Sequence, residues 1–196
     1  MKKIAIVTLL SAFAAAPALA DNTGKFYVAG DLGSASYSNV DPNIPGVTNT
    51  AFPNPGMVRI AGGYQFSPTW AAEVGYSKFG DSVVDYGNLG LGAGKATLAM
   101  NSLQVAAVGA YPLNPQFDLI GKLGLASNKA ELTGTGILAA AAASESKTDL
   151  LIGLGVQYHV SQQVTLRAQY DSFGKFTKDT NPIKASALSV GVAYSF

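Results

Sequence analysis

Large apolar residues alternate with small or polar ones in eight separate stretches of this chain. The clearest set is Leu188, Val190, Val192, Tyr194 and Phe196, interleaved with Ser189, Gly191, Ala193 and Ser195. A period of two places these sets on opposite sides of a β-strand. The pattern recurs at Phe26–Tyr37, where Phe26, Val28, Gly30 and Leu32 oppose Tyr27, Ala29, Asp31 and Gly33. In Met57–Phe66, Val58, Ile60, Gly62 and Tyr64 oppose Arg59, Ala61, Gly63 and Gln65. From Trp70 onward, Trp70, Ala72, Val74 and Tyr76 oppose Ala71, Glu73, Gly75 and Ser77. Leu103–Tyr111, Phe117–Leu125, Leu150–Val160 and Val164–Tyr170 complete the eight.

The face opposite the bulky residues carries glycine and alanine together with Asp31, Arg59, Glu73, Lys122, Arg167 and Asp171. In a soluble β-sandwich, the competing arrangement, that face would meet water, and recurrent glycine and alanine would gain nothing there. Inside an eight-stranded barrel the small residues leave room for long ionic side chains, because so narrow an interior is filled by side chains. The bulky face then meets lipid tails. In hydrocarbon every backbone N–H and C=O must be paired internally, and closure removes the unpaired edges. The expected fold is all-β: an eight-stranded antiparallel up-and-down transmembrane β-barrel.

Connections support it. Three short turns, around Ser67-Pro68-Thr69, Pro112–Gln116 and Ser161–Gln163, alternate with long polar loops expected at Asn39–Gly56, Gly80–Ala96, Asn128–Thr148 and Phe173–Lys184. Outer-membrane barrels show this asymmetry, with the long loops outside. Phe26, Tyr64, Phe66, Trp70, Tyr111, Phe117, Tyr158, Tyr194 and Phe196 are expected to form an interfacial aromatic girdle, most of it at the short-turn end, with Tyr76 and Tyr170 nearer the other.

The N-terminus suggests how such a chain is exported. Lys2 and Lys3 precede an apolar run from Ile4 to Ala15, and Pro17–Ala20 offers a small-x-small cleavage site. Residues 1–20 are read as a signal peptide for the general secretory pathway, cut between Ala20 and Asp21, and 21–196 as the barrel domain. The run is too short for a helical span, which takes about 20 apolar residues. Loss of the two leader lysines turns the formal net charge of +1 into −1. That balance argues against a nucleic-acid partner. With no cysteine, neither lipidation nor a disulfide framework is expected.

At this level of detail the chain resembles the OmpA-like transmembrane domains. Gly62-Gly63-Tyr64-Gln65, Pro68 and Glu73-Val74-Gly75-Tyr76 resemble the second hairpin of that family. Tyr27-Val28 with Leu32-Gly33, Tyr111-Pro112, Gly155–Tyr158 and Leu188–Tyr194 follow in the same order. The resemblance covers 25–196 and implies an outer-membrane barrel of a Gram-negative cell with its N-terminus periplasmic. Two departures stand out. The chain stops at the barrel, so wall anchoring by a periplasmic domain is not carried over. The family's luminal gate has acidic and basic members matching Glu73 and Arg167, but their exchange partners fall at Val108 and Gln157, which cannot swap ion pairs.

Function is less sharply written. Three acidic and three basic side chains in one narrow interior are expected to neutralise one another, since an unpaired buried charge is costly. A small ion path, porin-like, is the alternative. An outer-membrane lipid-modifying enzyme is disfavoured: the single histidine, His159, falls at the periplasmic end, with no serine placed beside it by the pattern. The glycine-rich Gly87–Lys95 has Leu89 and Ala96 where a phosphate loop needs Gly and Ser or Thr. Ala139–Ala143 reads equally as strand or short helix. No catalytic, metal or cofactor site is expected. The expected partners are outer-membrane lipids and, during insertion, the periplasmic chaperones and barrel-assembly machinery, whose signal the closing aromatic strand resembles. Exposed loops are expected to offer contacts to host molecules or phage, and the barrel is expected to be a monomer. A structural, membrane-integrity role follows.

Overall fold

The computed structural model describes residues 22–38, 55–86, 94–136, 143–176 and 184–196. The candidate leader with its Ala20–Asp21 junction, the loop 39–54, residues 87–93 of the glycine-rich segment and Ala139–Ala142 lie outside them; Ala143 opens a strand. The strands are β1 (Lys25–Ser38), β2 (Gly56–Gln65), β3 (Trp70–Phe79), β4 (Ser82–Tyr86), β5 (Gly94–Asn114), β6 (Phe117–Gly136), β7 (Ala143–His159), β8 (Val164–Lys175) and β9 (Lys184–Ser195).

Pairing runs β3-β2-β1-β9-β8-β7-β6-β5, and β3 pairs with β5, which closes the circle. All pairs are antiparallel. Eight strands therefore form the wall, and β4 is a short ribbon continuing β3 alongside β5. The first and last strands seal the barrel: Val28 pairs with Tyr194, Asp31 with Gly191, and Phe196 N donates to Phe26 O at 3.0 Å.

The eight alternating stretches coincide with the eight wall strands, and the bulky sets point outward. Leu154 is 64% exposed and Val190 63%, whereas Arg59 and Glu73 are each 2% exposed. Soluble packing would reverse those figures. Each short turn is tied by a side chain: Ser67 Oγ accepts from Trp70 N (2.9 Å), Asn114 Oδ1 from Phe117 N (3.0 Å) and Ser161 Oγ from Val164 N (3.0 Å). These are the residue types that close turns by bonding the backbone locally.

The long connections differ from expectation. Strand pairing continues well into three of them: β4 and the start of β5 occupy much of Gly80–Ala96, while β6 runs to Gly136 and β7 starts at Ala143 within Asn128–Thr148. A ladder of backbone bonds persists above the membrane without apolar alternation, since Leu132 and Glu131 are then solvated much alike. In Phe173–Lys184 the strands also reach Lys175 and restart at Lys184.

The outward orientation carries a prediction. Leu154→Arg would place a cation in mid-membrane and should destabilise the barrel by about 2–4 kcal/mol, read as a lower urea midpoint in lipid vesicles. An unchanged midpoint would mean that Leu154 does not face lipid.

Candidate functional site in the barrel lumen

The six charged residues that the sequence reading places in the lumen meet in one connected layer. Arg167, on β8, grips Asp31 with both Nε and Nη2 at 2.6 Å and reaches Glu73 with Nη1 at 2.9 Å. Arg59, on β2, donates to Asp31 at 3.1 Å, to Gln104 Oε1 at 3.1 Å and to Glu73. Lys122, on β6, lies 3.2 Å from Glu73 and 3.7 Å from Asp171. Glu73 is the hub, with three cations around it and the Tyr27 hydroxyl donating at 3.0 Å. Charged groups so deeply buried persist when paired, and the bidentate arginine fork adds hydrogen bonds for Asp31 and Glu73, whereas Lys122 and Asp171 are held by charge attraction without a hydrogen bond.

Glycines make the space. A Cβ on Gly191 would lie 2.1 Å from Asp31 Oδ1, and one on Gly153 would lie 2.1 Å from Asp171 Oδ1. Alternating large and absent side chains around one level is how a narrow barrel fits this layer. Gln104, Tyr27 and Ser77 complete the network, Gln104 Nε2 donating to Ser77 Oγ at 3.0 Å. Strand parity places all three on the inner face, but nothing in the sequence singles them out as partners.

The layer is sandwiched between apolar ones. On the long-loop side Met57, Phe79, Met100, Leu151, Phe173 and Phe176 are packed together with exposures of 2% or less. Phe79 meets Phe173 and Phe176 edge-on, at centroid separations of 5.3 and 5.6 Å. On the short-turn side Ala71, Val108 and Ile120 form a second apolar layer against Tyr27. Val108 therefore packs against apolar neighbours, and Gln157 lies lower, at the mouth.

A cavity of about 280 Å³ opens at that mouth, lined by Trp70, Pro112, Asp118, Gln157 and His159 among others. His159 Nε2 lies 2.7 Å from Asp118 Oδ2, and its Nδ1 lies 3.1 Å from Thr165 Oγ1. The imidazole thus clasps β6, β7 and β8. The sequence pattern missed these partners because they lie on neighbouring strands. Hydroxyl, imidazole and carboxylate thus line up across three adjacent strands at the mouth, and the His159 backbone N–H donates to Gln116 O at 2.8 Å.

The girdle residues lie on the outer wall. Phe26, Tyr64, Phe66, Trp70, Tyr111, Phe117, Tyr194 and Phe196 are exposed, and Tyr158 is half-buried against Phe117 with ring centroids 4.8 Å apart. Phe26 and Tyr64 pair likewise at 4.8 Å. Tyr76 and Tyr170 are exposed towards the opposite end.

An apolar outer wall, an ionic interior and a closed antiparallel ladder define a small transmembrane barrel of the outer-membrane type. The sequence matches the outer membrane protein beta-barrel domain over residues 5–196, and the chain belongs to that family. Its fold is similar to that of Ail, the attachment invasion locus protein of Yersinia pestis, in a complex with the heparin analogue sucrose octasulfate (TM-score 0.61, 18% identity, 89% of this chain and 99% of that one). Neisserial surface protein A is similar too (TM-score 0.61, 20% identity, 87% and 97%). So is OprG of Pseudomonas aeruginosa (TM-score 0.54, 16% identity, 89% and 96%). At these identities the likeness is one of fold. Comparison with curated proteins gives no match. The resemblance read from the sequence holds at the level of small eight-stranded outer-membrane barrels.

Proposed function

We propose that this protein is a closed, structural component of the bacterial outer membrane, exported with cleavage of residues 1–20, that supports membrane integrity rather than passage of solutes. The observation that carries this reading is the stacking inside the barrel. An apolar layer with Phe79, Phe173 and Phe176 at its centre, the neutralised ionic layer and a second apolar layer around Ile120 succeed one another along the axis. An ion crossing them would have to shed its hydration against packed hydrocarbon, at a cost of many kcal/mol. The purified barrel in a planar bilayer should therefore give no stepwise conductance. A deletion strain should become more permeable to hydrophobic dyes and detergents. Reproducible channel steps, or a deletion strain indistinguishable from its parent, would each count against the proposal.

A second role at the cell surface is favoured by the strands that overshoot the membrane. β5 and β6 have 21 and 20 residues, about twice the 9–11 that a tilted span requires. The end of their ladder away from the short turn, where Gly94 pairs with Gly136, projects a paired ribbon beyond the headgroups, a rigid base for contacts with other surfaces. Binding of labelled barrel to host-cell glycans or extracellular matrix tests that role.

A further inference from the structure

Lys175 and Lys184 stand directly opposite each other across β8 and β9. Like charges so placed oppose strand pairing, yet the fold is arranged to put them there. As far as Ser172, β8 alternates regularly, with Tyr170 exposed and Asp171 buried. Unbroken alternation would turn Lys175 inward. Instead the register shifts between Ser172 and Gly174: Gly174 pairs with the buried Ala185, and Lys175 with Lys184. Gly174 has φ 70°, in the left-handed region, and a Cβ there would lie 2.8 Å from Asp149 Cβ. Both facts call for glycine. The bulge re-aims the strand, so Phe173 and Phe176 stay in the apolar layer while the register puts Lys175, half-buried, on the same face as the exposed Lys184.

The height of the pair suggests its ligand. The outward row of β9 runs Phe196, Tyr194, Val192, Val190, Leu188, all exposed. With a rise of about 3.3 Å per residue and a tilt of about 40°, Leu188 lies roughly 20 Å above Phe196 and Lys184 roughly 30 Å. An apolar band of about 25 Å ends between them. Both ammonium groups therefore reach the headgroup layer on the long-loop side. Tyr170 and Leu188, themselves a cross-strand pair, continue the same outer face below them. Among the described residues neither lysine makes a direct ion pair; the Asp149 carboxylate accepts the backbone N–H of Leu150 at 2.8 Å and of Lys175 at 3.0 Å and feels the charge of Lys175 from a distance, while Lys184 has no carboxylate against it. Lys129, by contrast, is paired with Glu131.

We propose that Lys175 and Lys184 clamp the phosphate of a phosphorylated outer-leaflet lipid whose acyl chains lie against Tyr170 and Leu188. The proposal rests on the reading of the chain as an outer-membrane barrel with its long loops outside. A phosphate monoester brings the negative charge that relieves the lysine pair, and the apolar wall below favours a lipid over a free anion.

Native mass spectrometry of the full barrel released from detergent tests this with three probes: bisphosphorylated lipid A, the same lipid dephosphorylated, and inorganic phosphate. Near a membrane surface each lysine is worth about a factor of five, so loss of both should weaken retention of bisphosphorylated lipid A about thirtyfold. K175Q/K184Q should show that loss, whereas K78Q/K129Q, which removes equal charge from strands that do not pair with β8 or β9, should lose clearly less, because a lysine's attraction for the bound phosphate fades within a Debye length. Dephosphorylated lipid should bind the parent as weakly as phosphorylated lipid binds K175Q/K184Q, and millimolar phosphate should not compete. Equal losses in the two double variants, or equal binding of the two lipids, would overturn the proposal. Competition by inorganic phosphate would reduce the pair to a free-anion site and overturn the lipid assignment. Folding of each variant is checked by its heat-modifiable mobility; if K175Q/K184Q fails to fold, the lipid comparison on the parent decides. The readout is independent of any role in membrane integrity, which is measured in cells.

Discussion

Arg167→Leu is expected to lower the unfolding free energy by about 3–5 kcal/mol, the cost of breaking a buried ion pair by removing one partner. The unheated barrel should lose its compact electrophoretic form at correspondingly lower urea. Arg167 supplies both bonds of the fork on Asp31 and a third bond to Glu73. Its removal leaves three carboxylates facing Arg59 and Lys122 alone. Arg167→Lys keeps the charge and loses the fork, so its effect should be smaller. Adding Asp31→Asn to Arg167→Leu restores neutrality and should recover part of the loss, a coupling that a double-mutant cycle measures directly. If Arg167→Leu were as stable as the parent, the ionic layer would not be holding the interior together.

Gly191→Ala and Gly30→Ala should part company sharply, although the two glycines lie within one residue of the same register. Asp31 pairs with Gly191 and Gly30 with Val192. Gly30 faces lipid with nothing within 4 Å of where a Cβ would be. Alanine there should be neutral or stabilising by about 0.4–1 kcal/mol, through a less flexible unfolded chain. At Gly191 the new methyl would lie 2.4 Å from the carbonyl oxygen of Gly30 and 2.1 Å from Asp31 Oδ1. Backbone cannot yield without opening the β1–β9 seam, and Asp31 is fixed by Arg167. Overpacking of this kind costs about 1–3 kcal/mol and occasionally more; the upper end is expected here because the seam closes the barrel. Urea midpoints of the two variants in the same vesicles settle the comparison. Equal behaviour would contradict the assignment of the two faces.

The wall is legible because a strand in contact with lipid on one side keeps a period of two across the membrane. Val58 to Tyr64 and Leu188 to Phe196 show it most cleanly, and register then follows from the faces. Ionic residues could be placed on the inner face for the same reason. Their partners could not. Which of Arg59, Lys122 and Arg167 reaches Glu73 depends on strand stagger around the closed circle, as does the meeting of His159 with Asp118 and Thr165. The apolar layer of Met57, Phe79 and Phe173 was also missed. Met57 and Phe79 extend the inner-face parity of Arg59 and Ser77, but a bulky apolar residue in this chain fits either the lipid face or a packed interior layer, and composition does not separate the two. Beyond Ala130 in β6 and before Asp149 in β7 the described residues are exposed or half-exposed on both faces, so the alternation that reveals strands fades while the hydrogen-bond ladder continues. Gly174 hid its bulge in the same way, because one glycine after Phe173 carries no sign of a shifted register.

The chain has no cysteine, so a single introduced thiol takes a nitroxide label at a chosen site without background. Labels at Leu154 and Val190, compared with labels at Leu151 and Ala187, test directly which side of the wall meets lipid. With the barrel in vesicles, Leu154 and Val190 should collide readily with dissolved oxygen and hardly at all with a water-soluble nickel chelate, while Leu151 and Ala187 should be shielded from both. Nitroxides at Leu154 and Val190 that are sheltered from oxygen, or reached freely by the chelate, would contradict a lipid-facing wall around an ionic interior.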